Sequence, residues 1–302
     1  MPELPEVETV LRGLKKRVIG RRLGAAFVGH PQIIVGSPDK FVREVSGRQI
    51  LSAHRKGKAI AIELASEIAN GDNGQRYLLV RLGMTGQLTV NASAEPMEPH
   101  THVRLALEDG EEELRYVDAR RFGRLRCLTS QELDAIFGGL GPDAQEISEE
   151  QFQRALQGRR GPLKSWLMNQ QMLAGVGNIY ADEALYLARL HPLTQAGGIS
   201  AGDAQRLLRA LKRVLKRAVA LQGTSFRDYI DIEGRQGNFL PQLRVYQRTG
   251  KPCRRCRKPI ERVIVSGRSS HFCPKCQPRR HRVALRRKIK TGKGPKDSPH
   301  SK

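Results

Sequence analysis

The sequence predicts an α+β protein of more than one domain: an N-terminal β-sandwich carrying an N-terminal helix, a helical middle part, and a C-terminal β-hairpin finger. Three observations carry this. From Arg21 to Cys127 short alternating runs are broken by Gly, Pro and Asp, the texture of an antiparallel sandwich. From Ser148 to Gln222 apolar residues recur at helical spacing behind Ser and Pro starts. Two Cys-x-x-Cys pairs close the patterned part of the chain. At 302 residues the chain is long for one core. The expected divisions are a sandwich over 2–137, a linker over 138–147, a helical domain over 148–240, a finger over 241–277, and a basic tail over 278–302 expected to be disordered.

Lys plus Arg number 53 against 30 Asp plus Glu, a net charge of +23, which points to a polyanionic partner and to nucleic acid first. No apolar run reaches the length of a bilayer span, and the start of the chain is acidic where a secretory signal would be basic. A cytoplasmic protein is expected. Four of the five cysteines cluster near the C-terminus, which suits metal ligands in a reducing compartment better than a disulfide framework.

The opening Met1-Pro2-Glu3-Leu4-Pro5-Glu6 leads into a helix over Pro5 to Ile19, with Val7, Val10, Leu11, Leu14 and Val18 on one face and Gly20 as its stop. Met1 precedes a small residue and is normally removed, leaving Pro2 with a secondary amine. An α-amine titrates about two units below lysine, so a neutral, nucleophilic fraction exists at physiological pH. Glu3 and Glu6 lie within a helical turn of that amine and could relay protons. The plainer reading is that Pro5 and the glutamates only favour a helix start. Strand-like runs follow at Phe27 to Val28, Ile33 to Val35 and Arg48 to His54. A hairpin turn at Lys56-Gly57 leads to the return 58–64, with Lys58 at its mouth. A polar connection over 66–76 precedes strands at 77–82 and 87–90, joined by the turn Gly83-Met84-Thr85-Gly86. Met84 at a loop tip is misplaced unless it covers something. Strands at 102–107 and 113–117 lead into a second turn, Asp118 to Gly123, where Phe122 sits beside arginines; Cys127 then reads as a buried thiol.

Gly138 to Asp143 is the clearest break in composition. Beyond it, Ser148 with Gln151 forms a capping box for a helix to about Gln157, and Pro162 opens another near Trp166. Gly175-Val176-Gly177-Asn178-Ile179-Tyr180 is a tight turn entering a helix from Ile179 to Ala188. No strand precedes it and the third glycine is missing, so it is not a dinucleotide fingerprint. A turn aiming its amides and Asn178 at a phosphate fits better. Ser200 and Asp203 start a long helix to about Gln222, whose cationic face suits solvent and DNA equally. Residues 223–240 lack a period and read as a mobile loop closing over a substrate. Cys253, Cys256, Cys273 and Cys276, with sixteen residues between the pairs, predict one closed, structural zinc. Between them a hairpin of Arg262–Val265 and Ser269–Phe272 puts Arg268 at or beside its tip.

Taken in order over about residues 2–277, these motifs resemble bacterial formamidopyrimidine-DNA glycosylase. The resemblance implies a β-sandwich, a helix-two-turn-helix DNA-binding domain and a zinc finger, acting as a monomer on double-stranded DNA with oxidised bases or abasic sites. It implies excision of 8-oxoguanine and formamidopyrimidines, then β,δ-elimination, with no organic cofactor. By position it implies Pro2 as Schiff-base nucleophile, Glu3 as proton donor, and Glu6 in support. Lys58 and Arg268 become proton donors for the β- and δ-eliminations. His100, Arg120, Lys164, Asn178 and Arg268 would contact DNA, with Lys164 near the extruded base. Met84, Arg120 and Phe122 would fill the void left by extrusion, which costs a few kcal/mol of stacking and pairing. Gly237-Asn238-Phe239 departs from the family's usual Gly-Tyr-Phe in the loop expected to cover the flipped base. The alternatives are the sister endonuclease VIII-like glycosylase for oxidised pyrimidines and a noncatalytic zinc-finger DNA-binding protein.

Overall fold

In the computed structural model, the residues described are 2–66, 74–226 and 228–279. Most of the 66–76 connection and nearly all of the basic tail therefore lie outside the described residues. The helices are α1 (Leu4–Arg17), α2 (Pro38–Val45), α3 (Ser130–Gly138), α4 (Glu149–Leu156), α5 (Leu163–Met168), α6 (Asn178–Leu187) and α7 (Ala201–Ala220). The strands are β1 (Leu23–Val28), β2 (Ile50–Lys56), β3 (Ala59–Leu64), β4 (Arg76–Arg81), β5 (Gln87–Ala92), β6 (Thr101–Leu107), β7 (Glu112–Val117), β8 (Arg124–Leu128), β9 (Glu261–Val265) and β10 (Arg268–Phe272).

Two four-stranded antiparallel sheets, β1-β6-β7-β5 and β2-β3-β4-β8, form the sandwich. Alternation places Ile60, Ile62, Leu78 and Val80 of one sheet and Leu88, Val103, Leu105 and Leu114 of the other in one core. α1 joins both cores: Val7, Val10, Leu11 and Leu14 enter the sandwich, whereas Leu4 enters the helical core with Val176, Ile179 and Tyr180. The first helix is thereby fixed from two sides, as a site built on its N-terminus requires. Within the helical domain, α7 buries Leu207, Leu211, Val214 and Leu215 against α6, and its Ser200 cap accepts the Asp203 amide at 3.0 Å.

Two expectations need correction, and two helices add to the pattern. Ile33 to Val35 is no strand: Pro31–Ile33 is a 3₁₀ turn, and Ile34 makes a single bridge to Leu125. Helix α2 was not foreseen, although Ser37 caps it through the Lys40 amide and Pro38 opens it. Helix α3 was also missed, with its Thr129–Glu132 capping box. Finally, the 223–240 stretch is docked rather than loose. Tyr229 and Ile232 are buried in the sandwich core, Phe239 is buried beside Tyr180, and the Asn238 and Phe239 amides donate to the Leu221 and Gly223 carbonyls. Gly237-Asn238-Phe239 is accordingly the fixed base of this segment.

Candidate active site and zinc finger

The N-terminal turn of α1 is held by its own glutamates. Glu6 accepts the Glu3 amide at 2.8 Å, and the Leu4 amide donates to the Gly175 carbonyl at 3.0 Å. The Glu3 carboxylate crosses to α6, where it accepts the amides of Gly177 (2.8 Å), Ile179 (2.8 Å) and Tyr180 (3.3 Å). Those amides were expected to face a phosphate. The anion they hold is internal: the positive end of α6 is taken by a side chain from the second residue after Met1. Asn178 begins α6, and its Oδ1 is buried with no hydrogen-bond partner among the described residues.

Lys58 comes from the β2–β3 turn, which is clamped beneath it. Asp143 accepts the Gly57 amide at 3.0 Å and Arg55 at 2.5 Å, while Arg55 also binds Glu8 of α1 at 3.1 Å. Pro2, Lys58 and Arg268 then line one cavity of about 280 Å³ with Gly83, Met168 and Gln170. Residues from the chain start, a sandwich turn and the finger hairpin thus meet. Burial and, to a lesser degree, Arg268 push the Lys58 ammonium below the usual lysine range, against the opposing pull of Glu3. Burial raises Glu3 above the ordinary carboxylate value, opposed by Lys58 and the α6 amides. This pairing of a lowered amine and a raised carboxyl brings the two groups closer in proton affinity, which suits proton exchange.

Glu6 is fully enclosed. It accepts the Tyr180 hydroxyl at 2.5 Å and the Thr224 amide at 2.7 Å, yet burial, and then Glu3, push it up to about 7. The native state therefore holds a proton on Glu6 between about pH 4.5 and 7 that the unfolded chain releases. Its stabilisation is present in full below about 4.5 and is lost as pH rises through about 7. Thermal melts over that window are expected to fall with rising pH, by on the order of 3 kcal/mol at most. Glu6→Gln should flatten the fall; an unchanged slope in the variant would refute the assignment.

The four cysteine sulfurs lie within 4.8 Å of one another, with Cys253 to Cys276 at 3.9 Å and Cys256 to Cys273 at 3.4 Å. Tetrahedral zinc with Zn–S of about 2.3 Å requires sulfur separations of roughly 3.8 Å, so the set fits one structural zinc. The Tyr186 hydroxyl and the Arg255 amide approach the Cys253 sulfur at 3.3 and 3.4 Å, as hydrogen bonds that orient metal thiolates do. In the hairpin β9–β10, Arg268 pairs with Val265 just after the Ser266-Gly267 tip, as expected.

Met84 rides on the β4–β5 turn, and Arg120 and Phe122 on the β7–β8 turn. The Arg120 guanidinium lies 4.8 Å from the Phe122 ring centroid, and Phe122 is 53% exposed. His100 is exposed beside them, its carbonyl accepting the Asp118 amide at 3.1 Å. Lys164 does not belong with these. It is fully buried, its ammonium 2.7 Å from Asp182 and donating to the Ser269 carbonyl at 2.8 Å. It fastens the finger hairpin to α6, with its ammonium paired to a carboxylate of that helix. Cys127 is half-buried, and burial pushes its thiol up to about 12. Gly177, Tyr180 and Thr224 were missed as parts of the site. The glycine turn before α6 was the readable signal for the first.

Family models match in the same order: the Formamidopyrimidine-DNA glycosylase N-terminal domain over residues 1–125, the glycosylase H2TH domain over 139–229, and the zinc finger found in FPG and IleRS over 250–279. A Formamidopyrimidine-DNA glycosylase from Herpetosiphon aurantiacus is 42% identical over 281 residues, covering 92% of this chain and 100% of that protein. A mutant of the Lactococcus lactis FPG, in complex with a Fapy-dG containing DNA, superposes with a TM-score of 0.84 at 30% identity, covering 92% of this chain and 100% of that one. MutM in complex with carbocyclic 8-oxo-G containing DNA gives 0.83 at 30% identity, over 92% and 100% of the two chains. With Pro2, Lys58 and the finger's Arg268 lining one cavity, the chain belongs to the formamidopyrimidine-DNA glycosylase family.

Proposed function

We propose that this protein is a base-excision repair DNA glycosylase and abasic-site lyase that removes oxidised purines, 8-oxoguanine and formamidopyrimidines, from double-stranded DNA. The observation that carries the reading is the cavity shared by Pro2, Lys58 and Arg268, with the Glu3 carboxyl held at the N-terminus of α6. Support also comes from the relatives bound to Fapy-dG and carbocyclic 8-oxo-G DNA.

The Pro2 nitrogen attacks C1′ of the damaged nucleotide. The bond from C1′ to the base breaks, the base leaves with its electron pair and takes up a proton, and the pyrrolidine nitrogen gives up its own N–H proton. Glu3 gives a proton to the sugar ring oxygen as the ring opens, and the nitrogen lone pair completes an iminium at C1′. That cation acidifies C2′, whose proton is lost as the 3′ phosphate departs; Lys58 donates to that leaving group. Loss of a second proton, at C4′, expels the 5′ phosphate toward Arg268. Water then hydrolyses the imine and restores Pro2. The zinc stiffens the hairpin that carries Arg268 and takes no part in these steps. Asn178 and His100 bind DNA, and Met84, Arg120 and Phe122 fill the space vacated by the base. The protein acts as a monomer in the cytoplasm, over the divisions 2–137, 148–240 and 241–277.

Borohydride added during reaction with an 8-oxoguanine duplex is expected to trap a covalent protein–DNA adduct, and a chain that retains Met1 should give none. Absence of an adduct from the processed chain would leave a DNA-binding protein without this chemistry. Faster release of thymine glycol than of 8-oxoguanine would transfer the assignment to oxidised pyrimidines.

A further inference from the structure

Asp118 is fully buried, and no salt bridge reaches it among the described residues. Its carboxylate instead accepts four hydrogen bonds from two turns and a strand end. Oδ1 takes the Thr85 hydroxyl at 2.5 Å and the Arg120 amide at 3.2 Å; Oδ2 takes the Gly123 amide at 2.8 Å and the Tyr116 hydroxyl at 3.2 Å. The Arg120 amide is shared with the Thr85 hydroxyl, also at 3.2 Å. A charge taken out of water costs several kcal/mol unless its lone pairs are filled. Here all are filled by donors, and these hold the acid below its ordinary range despite burial.

The same two turns interlock sterically. Gly83 has φ +69°, and a Cβ there would lie 2.5 Å from the Gly123 nitrogen. A Cβ on Gly86 would lie 2.4 Å from the Tyr116 hydroxyl, and one on Gly123 would lie 1.6 Å from it. One turn carries Met84; the other carries Arg120 and Phe122. The Asp118 carboxylate is where donors from both turns and Tyr116 meet.

We infer that Asp118, acting through Thr85 and Tyr116, is a positioning residue that locks the Met84 turn to the Arg120–Phe122 turn, so that the three side chains enter the duplex as one rigid wedge. This rests on the void-filling reading given above. Three independently mobile side chains would each lose rotamer freedom on insertion, and a pre-locked set loses less. The wedge is needed only where a base must leave a stacked duplex. Chemistry at an already unpaired abasic sugar does not use it.

The test compares Thr85→Val, Thr85→Ser and Met84→Ala with the unmodified protein on two substrates: 8-oxoguanine opposite cytosine in a duplex, and a preformed abasic site in a single strand. Thr85→Val removes one donor from the lock and keeps the shape of the side chain. It is expected to lower duplex excision about 10-fold and leave single-strand cleavage within about 2-fold, with Thr85→Ser restoring the duplex rate. Equal losses on both substrates, or no loss on either, would overturn the inference. So would failure of serine to rescue. Met84→Ala reports on the underlying reading separately: if it leaves duplex excision unchanged, the wedge itself is wrong, whatever Thr85 does. In a double-mutant cycle, Met84→Ala and Arg120→Ala should couple in the otherwise unmodified protein and become additive when Thr85→Val is also present.

Discussion

Gly177→Ala is expected to slow base excision by about 100-fold or more while leaving the fold and the finger intact. A methyl group at this position would lie 2.3 Å from the Glu3 carboxyl carbon and 2.5 Å from its Oε1. No backbone strain accompanies the change, because Gly177 has φ −130°, which alanine adopts freely. What must move is the acid. Displacing it forfeits the amides of Gly177, Ile179 and Tyr180 and turns the proposed proton donor away from where the sugar would sit. Pro2 keeps its amine, so imine formation on a preformed abasic aldehyde should suffer less than excision does. Single-turnover rates on both substrates, with a melt as control, decide the matter. Excision at the unmodified rate would show that Glu3 does not need its α6 cradle.

The glycine turn before α6 was legible as an anion cradle, because Gly-x-Gly before a helix start is a local signal. Which anion fills it was not. Glu3 is 174 residues away from Gly177, and no local pattern links the two. The same limit explains Lys164. The resemblance set it near the extruded base, and its partners Asp182 and the Ser269 carbonyl come from separate elements that no local pattern names. The four cysteines, by contrast, were fully legible, since metal geometry is written in short spacings. The sandwich followed from alternation, which sheet pairing preserves. Helices α2 and α3 each span under ten residues and sit among strands, so their Ser37 and Thr129 caps were outweighed by the surrounding texture. In the 223–240 segment, Tyr229 and Ile232 are single apolar residues in a polar run, and only tertiary packing turns them into anchors.

Removing zinc is expected to abolish lesion excision by at least about 100-fold and to do so without unfolding the sandwich. The finger has little apolar core of its own. Its buried cluster is Val245, Cys253, Ile260 and Cys273 against Tyr186, and its only sheet among the described residues is the two-stranded β9–β10, too small to persist in water. The four thiolates around one ion supply the missing folding energy. The loss should spread along α6, which holds the finger through two successive buried carboxylates. Asp182 accepts the His271 amide at 2.8 Å, and Glu183 accepts the amides of Arg244, Val245 and Tyr246 at 2.8 to 3.0 Å. When the finger opens, Arg268 leaves the cavity it shares with Pro2 and Lys58, and Asp182 keeps only Lys164. Because α6 begins at the Glu3 cradle, metal loss in the finger should also be felt at Glu3. Chelator treatment should therefore give two melting transitions, a loss of duplex binding, and recovery of activity on adding zinc back. Cys256→Ser should behave as the chelated protein does, with no recovery. A chelated protein that melts in one unchanged transition and still cuts lesion-bearing duplex would show that the finger stands without its ion.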